Sequence, residues 1–256
     1  PHRQNLYGTL FIRIDAVDGT GNAMTYTQTN ALSFTNGRML MSTVHPLAIT
    51  GLSKLNQTNI GEYLFNDGTW GTIADNPGRT PIAVIFSTTT STTDQANGWT
   101  HGYAMALKNV TKVTWGPIIG NPTGTFISTT AELIADKDGY THTTYINSST
   151  YPAGLAAATT YKSAVAAPGG TSGWFLPSSG QWFDIFVNLG KMNATGYIGS
   201  GSFQWTNQAT TCANNLNACL TPLTAGSYTS FTANDIYWSS SENSNYYAYI
   251  AYFYSG

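Results

Sequence analysis

The sequence predicts an α+β chain, and three observations predict it. Strand-period segments fill residues 7–44, capped helix patterns occupy 129–190, and a tyrosine-crowded strand closes the chain from Tyr246 onward. In YGTLFIRIDAV, Leu10, Ile12, Ile14 and Ala16 alternate with Phe11, Arg13 and Asp15, the two-residue period of a strand. DGTGN at 18–22 supplies turn chemistry, and Asn36-Gly37 between two apolar stretches predicts a further hairpin. Residues 7–44 thus read as three or four strands, few for a stable domain without further strands or a helix to pack on, so residues 1–45 read as the closing strands of a β-sandwich. Residues 46–60 form a candidate linker, and a second domain spans 61–256. It opens on GEYLFNDGTWGT, a predicted hairpin about Asn66-Asp67-Gly68, followed by TPIAVIFST at 80–88, a predicted buried strand.

Three helices follow. TTAELIADKDG (129–139) carries a threonine N-cap, Glu132 in its first turn and Gly139 as a stop. PAGLAAATTYKSAVAAPGG (152–170) is alanine-rich and ends on Pro168-Gly169. In SSGQWFDIFVNLG (178–190) a serine cap precedes Trp182, Phe183, Ile185, Phe186 and Leu189, and Gly190 closes the segment. The Gly/Asn/Ser/Thr-rich stretch beyond it, which contains TTCANNLNACL, reads as a loop.

Composition narrows the setting. Only 9% of the 256 residues are charged, against about 25% in ordinary globular proteins, so solubility rests on Thr, Ser, Asn and Gly. That balance points to an extracellular surface module. The formal net charge is −2 without a basic cluster, which argues against nucleic acid and anionic membranes. No apolar run reaches the roughly 18 residues of a membrane span. An export signal is expected upstream of Pro1. For the two cysteines, Cys212 and Cys219, a small disulfide is the expectation and two free thiols the alternative. Metal and Cys-x-x-Cys redox readings lack the necessary ligands and spacing.

No enzyme signature emerges. His2, His45, His101 and His142 are scattered, and Gly-x-Ser-x-Gly, His-Glu-x-x-His and phosphate-loop motifs are missing from the sequence. Asp184 could pair with Asp235 or Glu242 in many folds, and nothing in the spacing selects such a pair. Asp136-Lys137-Asp138-Gly139 carries a fragment of a calcium loop without its later ligands and reads as a helix-ending turn. Neither a cofactor nor a metal is expected.

Three segments carry a resemblance. They are TPIAVIFSTTTSTTDQANGWTHGYAMALKNV running into Trp115-Gly116, then GTSGWFLPSSGQWFDIFVNLGK, and IYWSSSEN with the tyrosine strand after it. Together they resemble the C-type lectin-like domain of fimbrillin-type bacterial surface proteins, and the variable proteins diversified by retroelements. Residues 1–45 resemble the last strands of a fimbrillin-like sandwich. The resemblance implies an adhesin or pilus-tip protein at the bacterial surface, with a host or bacterial protein or glycan as ligand. It also implies pilin partners joined by donor-strand exchange. A pilus cap without a ligand and a phage receptor-binding protein are the alternatives within the same fold. The Glu-Pro-Asn, Gln-Pro-Asp and Trp-Asn-Asp motifs of calcium-dependent sugar-binding lectins do not occur.

In such variable proteins an adenine-directed mutator rewrites codons that keep a pyrimidine in third place, which cannot encode Trp, Met, Lys, Gln or Glu. The positions this implies as the binding site are Asn243, Ser244, Asn245, Tyr246, Tyr247, Ile250, Tyr252 and Tyr254, and all carry permitted residues. Trp238 and Glu242, outside the permitted set, sit in the preceding framework. Strand alternation puts Tyr249, Ala251 and Phe253 on one face and Ile250, Tyr252 and Tyr254 on the other. The first set is expected in the core and the second in an aromatic surface, where tyrosine offers large rigid contact area at low entropy cost.

Overall fold

The computed structural model describes residues 7–17, 23–33, 58–117, 120–195 and 208–253. The chain divides into two compact units, Pro1–Gln57 and Thr58–Gly256. In the first, β1 (Tyr7–Val17) and β2 (Ala23–Ser33) pair antiparallel in unbroken register from Tyr7↔Ser33 to Val17↔Ala23. The expected turn DGTGN at 18–22 lies outside the described residues. Asn36-Gly37, His2, His45 and most of the candidate linker lie outside the described residues.

The second unit is mixed α+β. Strands β3 (Tyr63–Phe65), β4 (Trp70–Gly71), β5 (Pro81–Ser87) and β6 (Tyr103–Ala106) form an antiparallel sheet in the order β4-β3-β5-β6. The hairpin expected about residues 66–68 joins β3 to β4: Phe65 N donates to Thr69 O at 2.8 Å, and Gly68 takes a left-handed φ of 85° that favours glycine. Every residue of β5 after Pro81 is buried, as a continuous apolar run demands when both faces of a strand are covered.

Helix α1 (Thr92–Ala96) lies between β5 and β6. The expected helix at 129–139 is two helices, α2 (Thr130–Ala135) and α3 (Gly139–Ile146). The Thr129–Glu132 capping box starts α2 as its sequence requires. Asp136 ends it, because its carboxylate accepts Asp138 N at 3.1 Å and its carbonyl accepts Gly180 N at 3.0 Å. Gly139 therefore opens a helix instead of stopping one. A Cβ there would lie 2.2 Å from Gln181 Oε1, so glycine is needed for close approach.

The alanine-rich helix runs as α4 (Pro152–Leu155), a π-helical segment Ala156–Thr160, and α5 (Tyr161–Ala164). It stops well before Pro168, at an extended Val165 whose carbonyl accepts Trp174 Nε1 at 2.7 Å. Helix α6 (Ser179–Asp184) and the π-helical segment Ile185–Leu189 follow the sequence expectation, with a Ser178–Gln181 capping box and Gly190 at the end. Gly190 has an ordinary φ of −73°. What it supplies is room, since a Cβ would meet Cys212 Sγ at 2.5 Å.

That contact belongs to a helix the composition concealed. The stretch read as a loop contains α7 (Ala209–Ala218), with Ala209, Cys212, Ala213 and Leu216 buried. These are positions i, i+3, i+4 and i+7, a helical stripe diluted by threonine and asparagine. The disulfide expectation fails here: Cys212 and Cys219 are free thiols. Seven residues along a helix is about 10 Å of rise, beyond the roughly 7 Å of Cα separation a disulfide spans.

The chain then forms β7 (Ile236–Ser244) and β8 (Tyr247–Tyr252), an antiparallel pair. The main core gathers Tyr63, Phe65, Val84 and Phe86 from the sheet, Trp182, Ile185 and Phe186 from α6 and its π-helical extension, Leu216 from α7, and Ala251 and Phe253. A smaller cluster unites Trp115, Ile146 and Ala153, with Trp238 and Ala248 packed against it.

Candidate ligand-binding surface

Strand β7 is anchored before it presents anything. Its pairing with β8 jumps from Trp238↔Ile250 to Glu242↔Ala248, so the intervening Ser239, Ser240 and Ser241 bulge inward. All three are essentially inaccessible, and their small side chains let the strand pass close to α3 and α6. Ser240 N donates to Pro177 O at 2.9 Å, and Ser179 N donates to Ser241 Oγ at 2.8 Å. The Ser241 hydroxyl donates to Asp136 in turn. A serine run that composition would place in water is here a buried, satisfied polar seam.

The seam brings a serine, a histidine and an aspartate together. Ser240 Oγ lies 3.4 Å from His142 Nδ1, and Asp136 Oδ2 lies 3.8 Å from the same nitrogen. A nucleophile and an orienting acid must use opposite ring nitrogens. With Ser240 fully buried, this trio ties β7 to α3 and offers no reacting atom to a substrate. Asp184, weighed as a carboxylate partner of Asp235 or Glu242, pairs instead with Lys137 Nζ at 2.7 Å. Burial pushes the Asp184 carboxyl up and the Lys137 amine down, each partly offset by the other's charge.

Beyond the seam the hairpin faces outward. Ala251 and Phe253 are each 2% exposed, while Ile250 and Tyr252 are 45% and 43% exposed. The expected alternation is present along this strand, with Tyr249 half-buried and its hydroxyl donating to Ile127 O at 2.9 Å. Burial raises the Tyr249 phenol above its ordinary range, although Asn243 donates to it. The register adds residues that single-strand reasoning missed. Ile236 pairs with Tyr252 and Trp238 with Ile250, so these four share one face. Alternation within IYW, combined with the tyrosine strand as its hairpin partner, was the signal that could have found them.

At the turn end, Tyr246 and Tyr247 are exposed at 59% and 70%, and Asn245 beside them is exposed too. Ser244 and Asn243 have local duties: Tyr246 N donates to Ser244 Oγ at 3.2 Å, and Asn243 Nδ2 donates to Ile127 O at 3.2 Å. Of the eight positions, Tyr254 lies outside the described residues. The other seven stand on one hairpin.

Two concavities flank Trp238. One, of about 270 Å³, lies under the turn, walled by Trp115, Tyr151, Trp238, Tyr246 and Tyr247 with Glu242 among them. The other, of about 720 Å³, is lined by rings including Trp99, Trp174, Phe175 and Tyr237, and by His101 and Asp94. His101 meets Trp70 in a tilted ring contact, 5.0 Å between centroids. Asp94 is 1% exposed and accepts the Tyr103 hydroxyl at 2.6 Å through one oxygen, while the other oxygen has no partner. Burial raises its carboxyl above the usual range. His101 and Asp94 share no hydrogen bond, and Asp235, on the same lining, accepts from Thr232 N at 2.7 Å and from the Tyr237 hydroxyl at 3.3 Å. No group of three or more metal-ligating side chains occurs among the described residues, and no described helix is long and apolar enough to cross a membrane.

In comparisons with known proteins, no family model, no curated protein and no solved structure matches this chain.

Proposed function

We propose that residues 61–256 form a C-type lectin-like head of an extracellular adhesin or pilus-tip protein, which binds a protein or glycan through the β7–β8 hairpin. Residues 1–45 are the closing strands of a fimbrillin-like anchoring domain, and pilin subunits joined by donor-strand exchange are its structural partners. The head is a binding module without an enzymatic activity of its own. The observation that carries this reading is the contrast along one strand. Core residues alternate with exposed apolar and aromatic ones, and the exposed set continues into Tyr246 and Tyr247. Large aromatic side chains held exposed on an anchored hairpin are a costly surface to leave in water, and they suit a contact site.

Sequencing the 3′ end of the gene across many cells of its source population tests the reading. Substitutions are expected to accumulate at 243–247, 250, 252 and 254 in codons ending in a pyrimidine, while Trp238, Glu242 and Phe253 hold. A region as constant as 178–190 would sink the diversification reading and favour a fixed interface, as in a pilus cap.

A further inference from the structure

The pocket under the turn differs from the rest of the hairpin in having both walls and a charge. We infer that it is an anchor site for a cationic side chain, a lysine or arginine of a protein partner, held between the Trp115, Tyr151, Trp238, Tyr246 and Tyr247 rings against the Glu242 carboxylate. The inference rests on the reading of this hairpin as the ligand-facing surface, and it selects protein over glycan.

Size is the first argument. At about 270 Å³ the pocket falls just below the range of roughly 300–1,000 Å³ that accommodates drug-sized ligands, so it has room for one long side chain and suits that better than a whole small molecule. Charge is the second. Among the described residues lining it, Glu242 is the one that carries charge, and it is 3% exposed. Both side-chain hydrogen bonds to its carboxylate come from Thr123, N at 3.0 Å and Oγ1 at 2.5 Å, and both go to Oε2. Among the described residues no donor reaches Oε1. A buried carboxylate with half of its acceptor capacity unfilled is stabilised by a cation that completes it.

The rings supply the third argument. Trp115 Nε1 donates to Ser239 O at 2.8 Å and Trp238 Nε1 donates to Val113 O at 3.0 Å. With both N–H groups occupied, these indoles have ring surface to offer, which attracts ammonium and guanidinium groups. The walls are also preorganised. Tyr151 meets Trp115 edge-on at 5.7 Å and presses so closely on Gly116 that a Cβ there would lie 2.4 Å from its ring. Glu242 is fixed through its carbonyl, which accepts Ile127 N at 2.8 Å. Trp238 and Glu242 lie outside the codon set of the variable positions, whereas Tyr246 and Tyr247 lie within it. The floor is then constant and the rim changeable: the floor grips a basic side chain, and the rim selects its surroundings.

The test is a titration of the full chain with N-acetyl-L-arginine amide, followed by the indole ¹H–¹⁵N resonances of Trp115 and Trp238. The neutral isostere N-acetyl-L-citrulline amide and methyl glucoside serve as comparators. Saturable shifts at both indoles with the arginine probe are expected, with at least about tenfold weaker binding of citrulline, as loss of a charged hydrogen-bonding partner gives. Glu242→Gln keeps an acceptor for Thr123 and should weaken the arginine probe to the citrulline level. Tyr247→Ala, at an exposed rim position, should weaken it while leaving the fold intact, which keeps the test decisive if Glu242→Gln fails to fold. Equal binding of arginine and citrulline probes, or glucoside shifts without arginine shifts, would overturn the inference. The population sequencing is independent of this titration, so an unoccupied pocket beside a diversified hairpin removes the anchor and leaves the surface.

Discussion

Replacing Phe253 and its neighbour Tyr252 by alanine, one at a time, separates what β8 does for the fold from what it shows to solvent. Phe253 is 2% exposed, with its ring 5.3 Å from Phe186, 5.5 Å from Phe231 and 6.0 Å from Tyr237. Its backbone is held independently, since Phe253 N donates to Asp235 O at 2.9 Å. Truncation therefore reports on packing. Burying a phenylalanine contributes roughly 1.5–3 kcal/mol by transfer alone, and the cavity left among three rings brings the loss to about 3–5 kcal/mol. In a domain of this size each kcal/mol lowers Tm by about 2–4 °C, so Phe253→Ala should melt at least about 6 °C lower. Tyr252, 43% exposed on the opposite face, should cost about 1 kcal/mol or less. Urea unfolding of the full chain followed by far-UV circular dichroism measures both. Equal losses, or a larger one for Tyr252→Ala, would refute the assignment of faces and with it the surface proposed for binding.

Lys137→Met removes the partner of Asp184 and should cost about 3 kcal/mol at neutral pH. The Asp184 carboxyl, raised by burial, becomes neutral as pH falls through its folded value, so the variant's deficit should shrink in acid; urea midpoints at pH 7 and pH 4.5 check this. Ser241→Ala deprives Ser179 N and Asp136 of a buried partner, and a loss of about 1–3 kcal/mol is expected in the same unfolding assay. Both thiols should titrate with Ellman's reagent in denaturant without prior reduction. In the native protein at pH 8, Cys212, pushed up to about 12 by burial, should resist the reagent longer than the half-buried Cys219. Gly190→Ala, which drives a Cβ against Cys212 Sγ, should destabilise the α6–α7 contact by about 1–3 kcal/mol.

What the sequence determined by itself is local. The capping boxes at Thr129 and Ser178, the β3–β4 hairpin, the buried run of β5 and the alternation along β8 depend on neighbours within a few residues, whose chemistry is visible in the chain. The aromatic face was legible for that reason: a strand's period of two places every side chain once a single buried residue is known.

Tertiary structure decided the rest, because the forces involved join residues far apart in sequence. Asp136 breaks a helix because Gly180 and Ser178 compete for its carbonyl. Leu216 and Cys212 make a helix of an asparagine-rich stretch because α6 and its π-helical extension offer that stripe a partner. The serines of β7 are buried because Asp136, His142, Pro177 and Ser179 meet their hydrogen bonds, which composition cannot announce. The pocket at Glu242 depends on Trp115, Thr123 and Tyr151, each about a hundred residues upstream. No local period links them. Only the closure of the chain brings a carboxylate and five rings into one wall.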